Sequence, residues 1–200
     1  MSEKQIPLLP LHSVLFPEGP LPLKIFEPRY TDMVSYCVKN NAPFGICLIR
    51  EESESGPEPS TFEIGTIAKI NDWHMRNDGM LGINVVGLER FKIDFEEKKS
   101  KQLHVANISI LAETPDASIP DDYEHLVDLL KECISQNSNR YSDLPMKYSN
   151  ATWVGYRLAE LLPLKLSQKQ YFLQIDDSIE RLERLTGVLD HLDHIRPLEF

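Results

Sequence analysis

Glycine is scarce in this chain, at 9 of 200 residues, and none of the nine is followed by lysine. A phosphate-cradling P-loop needs both glycines for close backbone approach and a Gly-Lys pair, so ATP or GTP chemistry of that type is excluded. No Gly-x-Gly-x-x-Gly is present for a dinucleotide, and no Gly-x-Ser-x-Gly elbow for an α/β-hydrolase. Cysteine is equally sparse. Cys37, Cys47 and Cys133 are odd in number, widely spaced and set among apolar neighbours, which predicts reduced core residues of a cytosolic protein rather than a disulfide framework. No apolar run approaches the roughly 20 residues of a membrane-spanning helix. The opening residues, Met1 to Gln5, lack the basic and apolar regions of a signal peptide. Positive charge is also in deficit: 21 basic against 31 acidic residues give a formal net charge of −10. The densest basic spot, Lys98, Lys99 and Lys101, follows Glu96 and Glu97 directly. Nucleic acids and anionic membranes are both held by grouped cations, so neither is expected as a partner.

What the chain does have is 42% hydrophobic residues in two differently patterned halves. Residues 1–116 read as β-rich. Runs at 44–49, 62–73, 81–86, 90–95 and 103–111 mix β-branched residues with period-two alternation. Asp78-Gly79 between two of them predicts a type I′ hairpin turn. One helix interrupts the strands, starting at Pro28 and carrying Tyr30, Met33, Val34, Cys37 and Val38 at helical spacing. Residues 51–61 are too acidic and polar to bury and are expected as a mobile loop.

From the prolines at 115 and 120 the period becomes helical, so residues 117–200 are predicted as a helical bundle. Tyr123, Leu126, Leu129 and Leu130 mark one helix; Trp153, Tyr156, Leu158, Leu161 and Leu162 mark another, stopped by Pro163. Ser167 with Gln170, and Asp177 with Glu180, suit capping boxes for two more. The fold class is therefore α+β. His191 and His194 lie one helical turn apart, but a closed zinc site needs two further placed ligands, so no metal is expected.

Four sequence blocks, in order, resemble a known family. They are Ile6-Pro7-Leu8-Leu9-Pro10-Leu11 with Val14-Leu15-Phe16-Pro17, Leu21-Pro22-Leu23 and Phe26-Glu27-Pro28-Arg29-Tyr30; Ile64-Gly65-Thr66-Ile67-Ala68; Val86-Gly87-Leu88-Glu89-Arg90-Phe91; and Tyr156-Arg157-Leu158-Ala159-Glu160-Leu161-Leu162-Pro163-Leu164, followed by Lys169-Gln170 and Asp176-Asp177. Together they are similar to the N-terminal substrate-binding (LON) domain of Lon proteases. Glu18 before Gly19 departs from the family's usual Pro-Gly and alters only a loop tip. The resemblance implies a PUA-like β-barrel half with one or two helices, and a helical-bundle half packed with it as one LON domain. It also implies a cytoplasmic, non-catalytic module that recognises protein segments. At 200 residues the chain is too short to hold the ATPase and serine–lysine protease of Lon as well.

The motif residues Glu27, Pro28, Arg29, Tyr30, Gly87, Arg90 and Phe91 are read as structural. Phe26, Tyr30 and Phe91 suit core aromatics, and Glu27, Arg29 and Arg90 suit a partly buried ion-pair network, because a buried charge needs a partner. Binding is expected where loops expose apolar groups: Leu15, Phe16 and Pro17 in one, Trp73 and Met75 in another. The expected partners are unfolded or extended protein segments, with a separate protease or chaperone as a further partner, and no cofactor. Two other readings compete: a small enzyme built around His74 or Glu27, and a nucleic-acid module suggested only by the PUA-like fold.

Overall fold

The computed structural model describes residues 4–50, 60–98, 103–112, 115, 117–142 and 144–195. Most of the expected acidic loop, Lys99, Lys101 and the His194 side chain lie outside the described residues. The chain divides into two compact units, Met1–Glu113 and Thr114–Phe200.

The first unit is a six-stranded sheet with one helix. Its elements are β1 (Lys4–Leu11), β2 (Pro20–Ile25), α1 (Pro28–Asn40), β3 (Phe44–Leu48), β4 (Ile64–Met75), β5 (Leu81–Lys98) and β6 (His104–Ile110). The strand order is β2-β5-β4-β3-β1-β6, and β5 pairs with β6 as well. At 18 residues β5 is long enough to serve both neighbours: residues 81–86 pair with β2, while Phe91 to Lys98 pair with β6. Two apolar clusters result. Leu9, Phe44, Ile46, Ala68, Ile83 and Val85 pack with Tyr30, Met33, Val34 and Cys37 of α1. Ile6, Leu8, Cys47, Ile67, Phe91, Ala106 and Ile108 form the other. Neighbouring residues such as Leu8 and Leu9 thus serve opposite faces, so these strands read as continuous apolar runs.

Phe91 sets the shape of the second cluster. A Cβ at Gly45 would lie 2.7 Å from its ring, and one at Gly65 would lie 2.8 Å away. Any larger residue at either glycine collides with Phe91. This couples the Gly-Thr block to the Arg-Phe block.

The sequence reading needs correction at three points. The segments 81–86 and 90–95 are one strand, since the chain runs through Gly87 without turning. Around Asp78-Gly79 only Gly79 takes positive φ, at 76°. The Arg76 carbonyl accepts from the Gly79 N–H at 3.0 Å and the Arg76 N–H donates to the Met80 carbonyl at 2.9 Å. That is a type I turn closed by a glycine bulge, not a type I′ turn, which needs positive φ at both central residues. Finally, Phe26 is 67% exposed rather than core, because it lies two residues before α1, whose buried face begins at Tyr30.

The second unit contains a 3₁₀ turn (Asp121–Tyr123), α2 (Glu124–Gln136), α3 (Ser138–Tyr141), α4 (Ala151–Leu161), α5 (Leu166–Gln174) and α6 (Ser178–Ile195). Asp177 caps α6, its Oδ1 accepting from the Ile179 and Glu180 N–H groups at 2.7 and 3.0 Å. The helix α5 begins earlier than expected: the Gln168 side chain accepts from the Lys165 N–H at 3.0 Å, and Gln170 is buried. Glu160 gathers the polar interior. Its carboxylate accepts from Tyr141 at 2.7 Å and meets Arg140 at 2.7 Å and the fully buried Arg157 at 2.9 Å. Burial, followed by the Glu160 charge, pushes the Tyr141 hydroxyl above its ordinary range. Arg181, also fully buried, donates to the Phe172 and Ile175 carbonyls and lies over the Tyr156 ring at 4.0 Å.

Candidate recognition site

The loop carrying Leu15, Phe16 and Pro17 is not an exposed apolar surface. Leu15 is 3% and Phe16 0% exposed, and Pro17 is half-buried. The physical reason is that neighbouring elements take up the loop's backbone groups. The Thr66 hydroxyl donates to the Leu15 carbonyl at 2.5 Å. The Glu18 N–H donates to the Gly87 carbonyl at 2.8 Å, and the Gly87 N–H returns a bond to the Gly19 carbonyl at 3.0 Å. Glu18 adopts the left-handed conformation, at φ 57°, to close the turn. A Cβ on Gly87 would stand 2.2 Å from the Phe16 carbonyl oxygen, so glycine is required for this approach. Pinned in this way, the loop can turn Leu15 and Phe16 only inward. Loops rich in Pro and Gly still form ordered turns when their polar groups find partners.

The second expected location is exposed. Trp73 and Met75 are 58% and 70% accessible, near the tip of the β4–β5 hairpin. The ladder shifts between Ile70 and Asp72, leaving Asn71 as an extra residue in β4. This bulge changes the phase of the strand. Trp73 then lies opposite Ile83, and Met75 opposite Leu81, on the face that packs against α1. Asp72 and His74 turn to the other face, where the His74 ring covers Gly82 (a Cβ there would be 2.6 Å from Nε2). Trp73 thus continues the apolar face beyond the helix. Between them is a cleft of about 190 Å³ whose lining includes Val38, Asn41, Ala42, Lys69, Asn71 and Trp73. Val38, Asn41, Ala42 and Asn71 are not evident from composition. The one sequence signal is the change of apolar phase from Ile70 to Trp73 and Met75 across Asn71-Asp72.

The motif residues lie within the strand and helix framework. Pro28 opens α1, and Glu27 beside it pairs with Arg29 at 2.5 Å. The Arg29 guanidinium lies 4.9 Å from the Tyr30 ring centre. Tyr30 is buried, and burial raises its hydroxyl pKa. Arg90 is buried in β5 opposite Thr66. His74 and Glu27, the centre of the enzyme alternative, sit on the hairpin's polar face and at the α1 N-terminus respectively. Cys37 and Cys47 are buried free thiols. Burial pushes Cys37 up to about 11 and Cys47 higher still, so neither is a nucleophile at neutral pH.

Comparison with known proteins accounts for this framework. Residues 5–191 match the ATP-dependent protease La (LON) substrate-binding domain. Among curated relatives, the Lon protease of Cytophaga hutchinsonii is 26% identical over 92% of this chain and 24% of its own length. The Lon protease of Buchnera aphidicola subsp. Schizaphis graminum is 29% identical over 93% of this chain and 25% of its own. The chain spans about a quarter of the length of these relatives. A crystal structure of a Lon N-terminal domain protein from Xanthomonas campestris superposes with a TM-score of 0.77 at 33% identity, covering 92% of this chain and 98% of that one. The N-terminal domain of Mycobacterium avium complex Lon protease shares the fold at a TM-score of 0.65 and 17% identity. By this match across nearly its whole length, the chain belongs to the LON substrate-binding domain family.

Proposed function

We propose that the chain is a non-catalytic protein-recognition module that holds unfolded or extended protein segments, working in the cytoplasm beside a separate protease or chaperone. The observation that carries this reading is the exposed pair Trp73 and Met75, held on the β4–β5 hairpin in a chain whose relatives are Lon proteases. Two exposed large apolar side chains on one strand face are an anchor for a partner's apolar groups. The match falls on the substrate-binding domain of those relatives, which supports recognition rather than hydrolysis. On the same reading, the circuit of pairings from β5 through β4, β3, β1 and β6 back to β5 is a PUA-like barrel. The helices of the second unit are then the family's helical bundle.

The test is capture of a permanently unfolded client, reduced carboxymethylated casein, by the wild type and by Trp73→Ala with Met75→Ala. The double variant is expected to keep its melting temperature and lose most of the captured client. Equal capture by a stably folded double variant would remove this surface from recognition.

A further inference from the structure

The hairpin and β2 form a three-stranded ribbon, with residues 81–86 of β5 between β2 and residues 69–75 of β4. Its two edges differ. In an antiparallel ladder, successive residues turn their N–H and C=O groups to alternate sides. The Arg76 N–H bonds to Met80 across the hairpin, which fixes the phase. Counting back, His74 and Asp72 face β5, whereas Trp73 and Met75 turn their backbone groups outward. Counting across β5, Leu21, Leu23 and Ile25 bond inward, and Pro20, Pro22 and Lys24 face outward. The two prolines have no N–H, so the β2 edge is closed to a further strand.

The β4 edge is open for an identifiable reason. β3 pairs with β4 only through Phe44, Gly45 and Ile46. The residue before Phe44 is Pro43, which cannot donate, and Asn41 at φ 48° has already ended α1. The chain therefore leaves the sheet where the ladder would continue, and the cleft beside Trp73 is the space it vacates. Among the described residues, no strand pairs with the outer side of residues 71–75. At about 190 Å³ the cleft is below the roughly 300 Å³ of ordinary small-ligand sites and suits a single side chain.

We infer that this edge takes an extended polypeptide of net positive charge as an added strand, with its apolar residues against Trp73 and Met75 and its polar residues on the other face. The inference rests on the protein-recognition reading and specifies its geometry: the backbone groups of Trp73 and Met75 bind the partner's main chain, while their side chains select its apolar residues. Charge selects the occupant. It acts at long range, since the ribbon face is itself mixed, with Lys24 and Lys69 on the same side as Asp72: a second copy of this chain carries the same net charge of −10 and is repelled, whereas a segment of net positive charge is attracted.

The probe is a fluorescent acetylated heptapeptide of alternating lysine and valine, Lys-Val-Lys-Val-Lys-Val-Lys, and the same peptide N-methylated at its valines. The methylated form keeps every side chain but cannot donate to the Trp73 and Met75 carbonyls. Binding is expected to weaken about tenfold on methylation, the worth of two backbone hydrogen bonds. Met75→Pro removes one outward N–H without touching the β4–β5 ladder and should weaken the plain peptide at least as much. Equal binding of both peptides by the wild type overturns strand addition whether or not the variants fold. Capture of casein with no preference between the peptides would leave recognition standing and defeat only this edge. Failure of the wild type to bind either peptide or casein would defeat both. A Met75-dependent dimer by sedimentation would make a second copy the occupant and overturn the client assignment.

Discussion

Phe16 and Trp73 are both large aromatic residues in segments that read as loops or strand ends, yet their surroundings differ completely. Phe16 is fixed inward because Thr66 and Gly87 bind the backbone on either side of it. Trp73 is brought by one extra residue, Asn71, onto the apolar face of the sheet, but at a point beyond the helix that covers that face, so it stays exposed. Phe16→Ala should therefore cost about 3–5 kcal/mol of stability in denaturant unfolding, whereas Trp73→Ala should cost little. Neither outcome is legible locally, since the partners of the Phe16 loop lie some 50 to 70 residues away in sequence. Asp78 provides a pH dependence. Lys24, at 3.0 Å, and the Met80 N–H, at 3.1 Å, hold its carboxyl near 2, down from an ordinary 3.8. A depressed carboxyl stabilises the folded form above its unfolded pKa and loses that contribution as pH falls through the folded value. The hairpin should hence weaken as pH drops from about 4 to about 2, followed through the Met80 amide by NMR. Asp78→Asn should remove this dependence.

The elements most easily read were those with one clear period. The helix α1 begins at Pro28, and α6 begins under Asp177, as their capping and proline signals require. The strands β1 and β2 were hidden, because Pro7, Pro10, Pro20 and Pro22 argue against ladders. In β2 they are tolerated, since Pro20 and Pro22 face the edge that pairs with no strand among the described residues. In β1, residues 4–7 pair with β6 and residues 8–11 with β3, so each proline can meet a neighbour that does not need its missing donor. The hub on α4 was equally illegible: Glu160 reads as one polar residue in an apolar block, with nothing to announce Arg140, Tyr141 and Arg157 around it. Removing one member of a buried charge cluster strands the others. Glu160→Ala should thus lower stability by about 3–5 kcal/mol. A loss below about 1 kcal/mol would mean that water or another carboxylate takes its place.

At the scale of the molecule, the family blocks identified the architecture, while the proposed recognition surface had to await the register of the strands. Composition had already disfavoured anionic partners, because a net charge of −10 is spread along the chain. Among the described residues no helix is long and apolar enough to cross a membrane. The unequal edges of the ribbon have one more consequence, for assembly rather than recognition. Growth into a fibre requires every unit to have two sticky ends, so that each arrival leaves a new site for the next. Here β4 can accept a strand, but the prolines of β2 terminate the ribbon on its other side. Even if two copies met edge to edge, both growing ends would be spent in that single contact. On the strand-addition proposal, an edge that takes an extended chain is in this way kept monovalent, and cannot template its own polymer.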